Sequence, residues 1–226
     1  MSETPETGQY CIISNITSMP DLPDYQELNF TTEEDYTTYI TRLVDRASRQ
    51  IDRYTKRPNN YFNGGATITE YHDGKGVDSG YGGTARSLET ANRSRIYLLN
   101  QSPVVSIDTI LQSASDTGEV PLWTDALSPY QLVSETGEII FSSTININAG
   151  YKNIQIIYVA GYETVPDEIQ QACEEIVANA VKKALSDNFN ARVRLGGKPA
   201  TISMTDKTVF TDEIKEMLAP YQQSRF

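Results

Sequence analysis

Apolar residues recur at steps of three and four through Tyr36, Ile40, Leu43, Ala47, Ile51 and Tyr54, the spacing that turns one side of an α-helix towards a partner. Thr32 ahead of Glu33, Glu34 and Asp35 predicts the start of this helix as a capping-box-like sequence, with Asp35 where Glu or Gln usually stands. Pro58 predicts its end, because a residue before proline is pushed out of the α region, and Asn59-Asn60 is turn-like. A second helix opens at Pro166-Asp167-Glu168, with proline in the first turn and acids at the positive helix end. Its apolar face is Ile169, Cys173, Ile176, Ala180 and Ala184, widened by Ala172, Val177 and Val181, and so many small residues let another helix approach closely. After Asp187 an acid-free stretch runs to Thr205 and reads as a basic loop with Arg192, Arg194 and Lys198 around Gly196-Gly197. Thr211 then caps a short helix over 212–218, and Pro220 ends it ahead of the tail 221–226.

Between these helices the period changes. Short β-type runs over 68–72, 95–99, 104–112, 130–133, 138–141 and 153–160 are separated by clusters of Gly, Asn, Asp, Ser and Pro, and the glycine-rich stretch 73–84 is expected to be a loop. The expected fold class is α+β: a helical body of two long helices and a short C-terminal helix, with an inserted antiparallel β module. The expected division is an acidic N-terminal extension over 1–30, a helical body over 31–60 and 163–226, and the β module over 61–162.

Composition sets limits on what this fold does. The 226 residues carry 19 Lys and Arg against 30 Asp and Glu, a formal charge of −11, with 38% hydrophobic and 22% charged residues, which is a globular balance. Such acidity argues against gripping duplex DNA non-specifically, since that needs clustered Lys and Arg to displace counterions. The acidity is also organised. The first 35 residues hold eight acids and no base, whereas residues 36–57 hold Arg42, Arg46, Arg49, Arg53, Lys56 and Arg57 against Asp45 and Asp52. Acids at a helix start and bases towards its end suit the helix dipole, and a solvated helix accounts for most of this switch. No apolar run approaches the length of a spanning helix, so no membrane contact is expected, and the first ten residues lack the features of a secretory signal. Cys11 and Cys173 show no CxxC or Cys/His clustering, so two reduced thiols are expected, with neither a zinc site nor a disulfide framework.

Candidate chemistry is sparse. His72 is the only histidine, so a two-histidine metal site is impossible and any Ser/His/Asp triad would need this one strand residue, with no G-x-S-x-G elbow beside it. Gly74-Lys75-Gly76 lacks the upstream glycine and the following Ser or Thr of a phosphate loop. The carboxylate pairs Glu33/Glu34, Asp167/Glu168, Glu174/Glu175 and Asp212/Glu213 are adjacent on helices and point apart, as capping and solvating charges do. No catalytic residue, metal site or cofactor is expected. Two features stand out. Arg192, Arg194 and Lys198 could meet a nucleic-acid backbone or an acidic protein surface, or simply form a solvated turn. The tail leaves Tyr221, Arg225 and Phe226, types that anchor interfaces, beyond a proline stop.

The ordered segments L-V-D-R-A-S-R-Q-I-D-R-Y-T-K-R-P (Leu43 to Pro58), L-N-Q-S-P-V-V (Leu99 to Val105), I-Y-V-A-G-Y (Ile157 to Tyr162), V-P-D-E-I-Q-Q-A (Val165 to Ala172) and M-L-A-P-Y (Met217 to Tyr221) together resemble the head-tail connector, adaptor or head completion proteins of tailed bacteriophages. The resemblance spans most of the chain; its departures are the long acidic lead 1–30 and the enlarged β module. It implies a homo-oligomeric ring, commonly a dodecamer, beneath the portal protein, extending the DNA channel towards a head-closure or tail protein. It implies a virion neck component synthesised in the host cytoplasm, without enzymatic activity, past which genomic DNA moves without being held. Portal docking would fall to Leu218, Pro220, Tyr221, Arg225 and Phe226. A tail-terminator or other neck ring protein is the alternative, and a small hydrolase using His72 is a third reading.

Overall fold

The computed structural model describes residues 5–6, 8–28, 30–75, 95–113, 123–195 and 207–223. It mixes helices with antiparallel sheets, an α+β architecture, and divides into two compact units: residues 1–64 with 162–226, and residues 65–161.

The first unit is helical. Helix α2, Glu33–Thr55, starts where its sequence predicts: the Thr32 hydroxyl accepts from the Asp35 backbone N–H at 3.1 Å and donates to the Asp35 carboxylate at 2.9 Å. It stops at Lys56, whose left-handed conformation (φ 59°) lets the Arg57 N–H reach the Asp52 carbonyl at 3.0 Å just ahead of Pro58. Tyr36, Ile40, Leu43, Val44, Ala47 and Ile51 form its buried face, which packs on helix α3, Asp167–Leu195. Ile169, Ala172, Cys173, Ile176, Val177, Ala180 and Val181 of α3 are fully buried, and their mostly small side chains permit the close approach. Each fully buried Leu or Ile in such a seam contributes on the order of 2 kcal/mol. Helix α4, Asp212–Leu218, is capped by Thr211, whose hydroxyl accepts from the Ile214 N–H at 3.4 Å.

One expectation is corrected by the extent of α3. The stretch after Asp187 is not a loop at Arg192 and Arg194, because α3 continues through both to Leu195. No glycine or proline interrupts residues 167–195, and running out of acids does not end a helix. The lead 1–30 falls in the same compact unit as these helices. Tyr10, Cys11 and Ile16 are completely buried, Ile16 within a short helix α1, Ile13–Thr17, and the Tyr36 hydroxyl donates to the Pro23 carbonyl at 3.1 Å. Among the described residues of the lead, Glu6, Asp21, Asp24 and Glu27 are exposed, while Tyr10, Cys11, Ile16 and Leu28 enter the core.

The second unit holds two antiparallel sheets. One has the order β1, Ala66–Lys75; β7, Ala149–Ala160; β3, Val104–Ser113; β4, Trp123–Ala126. The other orders β2, Ile96–Leu98; β6, Glu138–Phe141; β5, Tyr130–Val133. Strand β7 lies between β1 and β3, and its alternate residues Ile154, Ile156, Tyr158 and Ala160 are fully buried. Strand β4 has no counterpart among the expected runs. Glu70 of β1, itself buried, accepts from the Tyr158 hydroxyl and from the Asn100 N–H at 3.1 and 3.2 Å. At the far end of β1 the register slips between His72 and Gly74, and the Gly74 N–H donates to Asn153 Oδ1 at 2.6 Å. A Cβ at Gly74 would lie 2.0 Å from the Asn148 carbonyl oxygen, so only glycine fits this approach.

Candidate docking site

The C-terminal segment is the first candidate. Ile214 and Leu218, one turn apart in α4, are completely buried, so Leu218 serves the core of its own unit in this conformation. Residues Ala219–Tyr221 continue as one 3-10 turn in which Pro220 is exposed. Tyr221 does not hang free. Its ring meets Phe62 edge-on at 5.7 Å and Tyr162 at 6.1 Å, and its hydroxyl donates to Glu168 Oε2 at 2.8 Å. Its carbonyl accepts from Arg57 Nε at 3.2 Å, and the Gln223 N–H donates to the Thr55 carbonyl at 2.9 Å.

These contacts tie the segment to the ends of α2 and α3 and to an aromatic cluster of Tyr10, Tyr61, Phe62 and Tyr162. Burial and the Glu168 carboxylate both raise the Tyr221 phenol above its ordinary value, while the same hydrogen bond lowers the exposed Glu168 carboxyl. The Arg57 guanidinium lies 4.7 Å over the Tyr61 ring, whose phenol burial nonetheless pushes to about 12. The expected docking residues are therefore not one exposed patch. Leu218 is buried, Tyr221 is held, Pro220 is exposed, and Arg225 and Phe226 lie outside the described residues.

A second surface was legible as spacing. Arg42, Arg46, Arg49 and Arg53 stand four, three and four residues apart on α2, with Lys56 at its cap, and all five are exposed. They cover about 21 Å of helix at 1.5 Å per residue, on the side away from the apolar stripe. None makes an ion pair among the described residues. Around the other end of α2, Asp21, Asp24, Glu27, Glu33, Glu34 and Asp35 are all exposed. Exposed acids thus surround the start of α2 and exposed bases line one side of it towards its end.

Of the other sequence candidates, Arg192 and Arg194 fall in the last turn of α3, and Lys198 lies outside the described residues. The glycine-rich stretch begins as the end of β1, and its residues 76–84 lie outside the described residues. His72 is half-buried; its Nε2 lies 3.1 Å from Glu70 Oε2 and its ring edge-on to Tyr97 at 5.8 Å. Among the described residues no three His, Cys, Asp or Glu side chains cluster as metal ligands, and no helix is long and apolar enough to cross a membrane. An open pocket of about 310 Å³ is lined by Gly8, Asp45, Arg49, Asp52, Asn59 and Asn60. Cys11 and Cys173, expected as two reduced thiols, lie side by side in the core with sulfurs 2.8 Å apart.

None of the curated proteins matches the chain. Among solved structures, a chain from the neck of an empty GTA particle computed with C6 symmetry covers 100% of this chain and 95% of that one, at a TM-score of 0.47 and 11% identity. A chain from the virion of a native gene transfer agent (GTA) particle covers 100% and 94%, at 0.44 and 12%. One from the neck of a native GTA particle computed with C12 symmetry covers 96% and 95%, at 0.41 and 12%. At TM-scores below 0.5 these likenesses carry no weight for function. The sequence profile of the head completion proteins, by contrast, matches residues 15–224, from α1 through the segment pinned by Tyr221. The chain belongs to the head completion protein family.

Proposed function

We propose that this chain is a non-enzymatic structural part of a virion neck, a subunit of a dodecameric ring that sits beneath the portal protein, extends the DNA channel and links it to a head-closure or tail protein. Family membership over residues 15–224 is the observation that carries this reading. The copy number, the portal and the tail-side neighbour follow from the resemblance noted in the sequence.

The geometry supplies a way to close such a ring. Head-to-tail contacts need two different patches on each subunit, each complementary to the other. The exposed bases Arg42, Arg46, Arg49, Arg53 and Lys56 and the exposed acids Asp21, Asp24, Glu27, Glu33, Glu34 and Asp35 are such a pair on one unit, and the bases have no ion-pair partner among the described residues. A neighbour's acids neutralise the stripe. That leaves the net charge of −11 per subunit to keep the channel from holding DNA. Portal contact falls to residues beyond α4, the exposed Pro220 together with Arg225 and Phe226, with α4 and Tyr221 as their base.

Charge reversal tests the ring contact. Arg46→Glu with Arg53→Glu should leave the subunit folded by circular dichroism and abolish ring assembly on purified portals. Adding Asp21→Lys and Glu27→Lys to the same chain should restore it. Unimpaired assembly by the Arg variant would overturn the contact. So would loss of duplex binding with assembly intact, which would assign the stripe to DNA.

A further inference from the structure

The chain has two cysteines, and the fold carries them from positions 162 residues apart to adjacent places in one core. Cys11 lies just ahead of α1, on the segment that Tyr10 anchors through its N–H to Ser48 Oγ at 3.1 Å. Cys173 lies on the buried face of α3, 3.9 Å from the Ser48 hydroxyl. Both are completely buried, and their sulfurs are 2.8 Å apart. That is inside the 3.5–4.0 Å at which even two carbon atoms make their best contact, and less than an ångström beyond a covalent sulfur–sulfur bond of about 2.05 Å. With no third ligand in the surroundings among the described residues, the pair lacks the donors of a metal site.

We propose that Cys11 and Cys173 are a latent disulfide, closed within one chain when the protein meets a peroxide, and stapling the N-terminal segment to α3. The chemistry balances with hydrogen peroxide as oxidant. One thiolate attacks a peroxide oxygen and breaks the O–O bond, giving a sulfenic acid and hydroxide, which takes up the thiol proton as water. The second thiol sulfur attacks the sulfenic sulfur, the S–S bond forms, and the sulfenic oxygen leaves with the second proton as another water. Two electrons pass from the sulfurs to peroxide.

The same site keeps the pair reduced where thiol buffers prevail. The hydrogen bond with Cys173 and burial hold the Cys11 thiol well above its ordinary value, which keeps the nucleophilic thiolate scarce. A reducing interior therefore leaves two thiols, as the sequence suggests, and release into oxidising surroundings closes the bond. The inference is independent of the ring reading, because it concerns one folded chain.

The test exposes the purified full chain to hydrogen peroxide, quenches it, and titrates thiols after unfolding. The expected result is a fall from two titratable thiols to none, with a monomer on a non-reducing gel and a single cross-linked peptide joining Cys11 to Cys173. The midpoint of urea unfolding should rise in wild type and return on adding dithiothreitol. Cys11→Ala and Cys173→Ala, each replacing a buried thiol by a small apolar group, should show no rise. Two thiols surviving peroxide, a disulfide joining two chains, or an equal rise in either variant would overturn the proposal. If one variant fails to fold, peptide mapping of wild type decides alone.

Discussion

Replacing Asp52 by asparagine should change how the protein's stability depends on pH. Asp52 lies on the buried side of α2, 4% exposed, where it accepts from the Tyr10 hydroxyl and from the Asn60 backbone N–H. Burial outweighs those two bonds and pushes its carboxyl from the ordinary 3.8 up to about 7. Between these values the folded protein holds a proton that the unfolded chain has released, so this contribution is fully present below about pH 4 and is lost as pH rises to about 7. At about 1.4 kcal/mol per pH unit, the loss is on the order of 4 kcal/mol, a large share of a typical 5–15 kcal/mol of total stability. Asp52→Asn keeps an oxygen for Tyr10 and cannot ionise. Asp45 and Arg49, which share the pocket, are unchanged by the substitution, and burial keeps Tyr10 protonated. The difference between variant and wild type in urea-unfolding free energy should therefore move in the variant's favour by several kcal/mol between pH 4 and pH 8. A difference that stays flat across that range would refute the reasoning.

Other predictions follow from particular contacts. Leu218→Ala should lower unfolding free energy by about 2–5 kcal/mol, as for a fully buried leucine, whereas exposed Pro220→Ala should change it by less than about 1 kcal/mol; equal effects in chemical denaturation would contradict the burial difference. Gly74→Ala forces a Cβ against the Asn148 carbonyl and should cost on the order of 2 kcal/mol; a wild-type melting temperature would contradict it. Removing residues 224–226 leaves the Tyr221 and Gln223 contacts in place, and should abolish portal attachment in a pull-down while the melting curve stays near that of wild type. Retained attachment would sink the assignment of docking to Arg225 and Phe226.

What the sequence showed depended on how far each signal reached along the chain. Helix α2 was legible from cap to stop because the Thr32 cap, the three-and-four stripe and Pro58 are all local. The same holds for Thr211 and α4, and for β5 and β6, whose runs are short and bounded by turn residues. The sequence misplaces the end of α3 because its charge changes after Asp187, whereas only Gly196-Gly197 offers a backbone reason to stop. The burial of Tyr10, Cys11 and Ile16 could not be seen, since their partners come from α2 and α3 and the surrounding acids dominate the composition. Likewise the Tyr221–Glu168 bond and the Cys11–Cys173 contact join residues 53 and 162 apart. The basic stripe is visible in the sequence as spacing, but the helix dipole already explains bases towards a helix end, so their one-sidedness shows only in the fold.

Whether this chain forms a neck ring is settled by a side-chain-resolution reconstruction of the neck of a particle that contains it. The expected result is a ring of this subunit directly beneath the portal, with Arg46 and Arg53 of each copy facing acids of the next and the residues after Pro220 against the portal. Finding the chain in the capsid shell or along the tail tube, or finding it in the neck as an isolated copy without a ring, would contradict it.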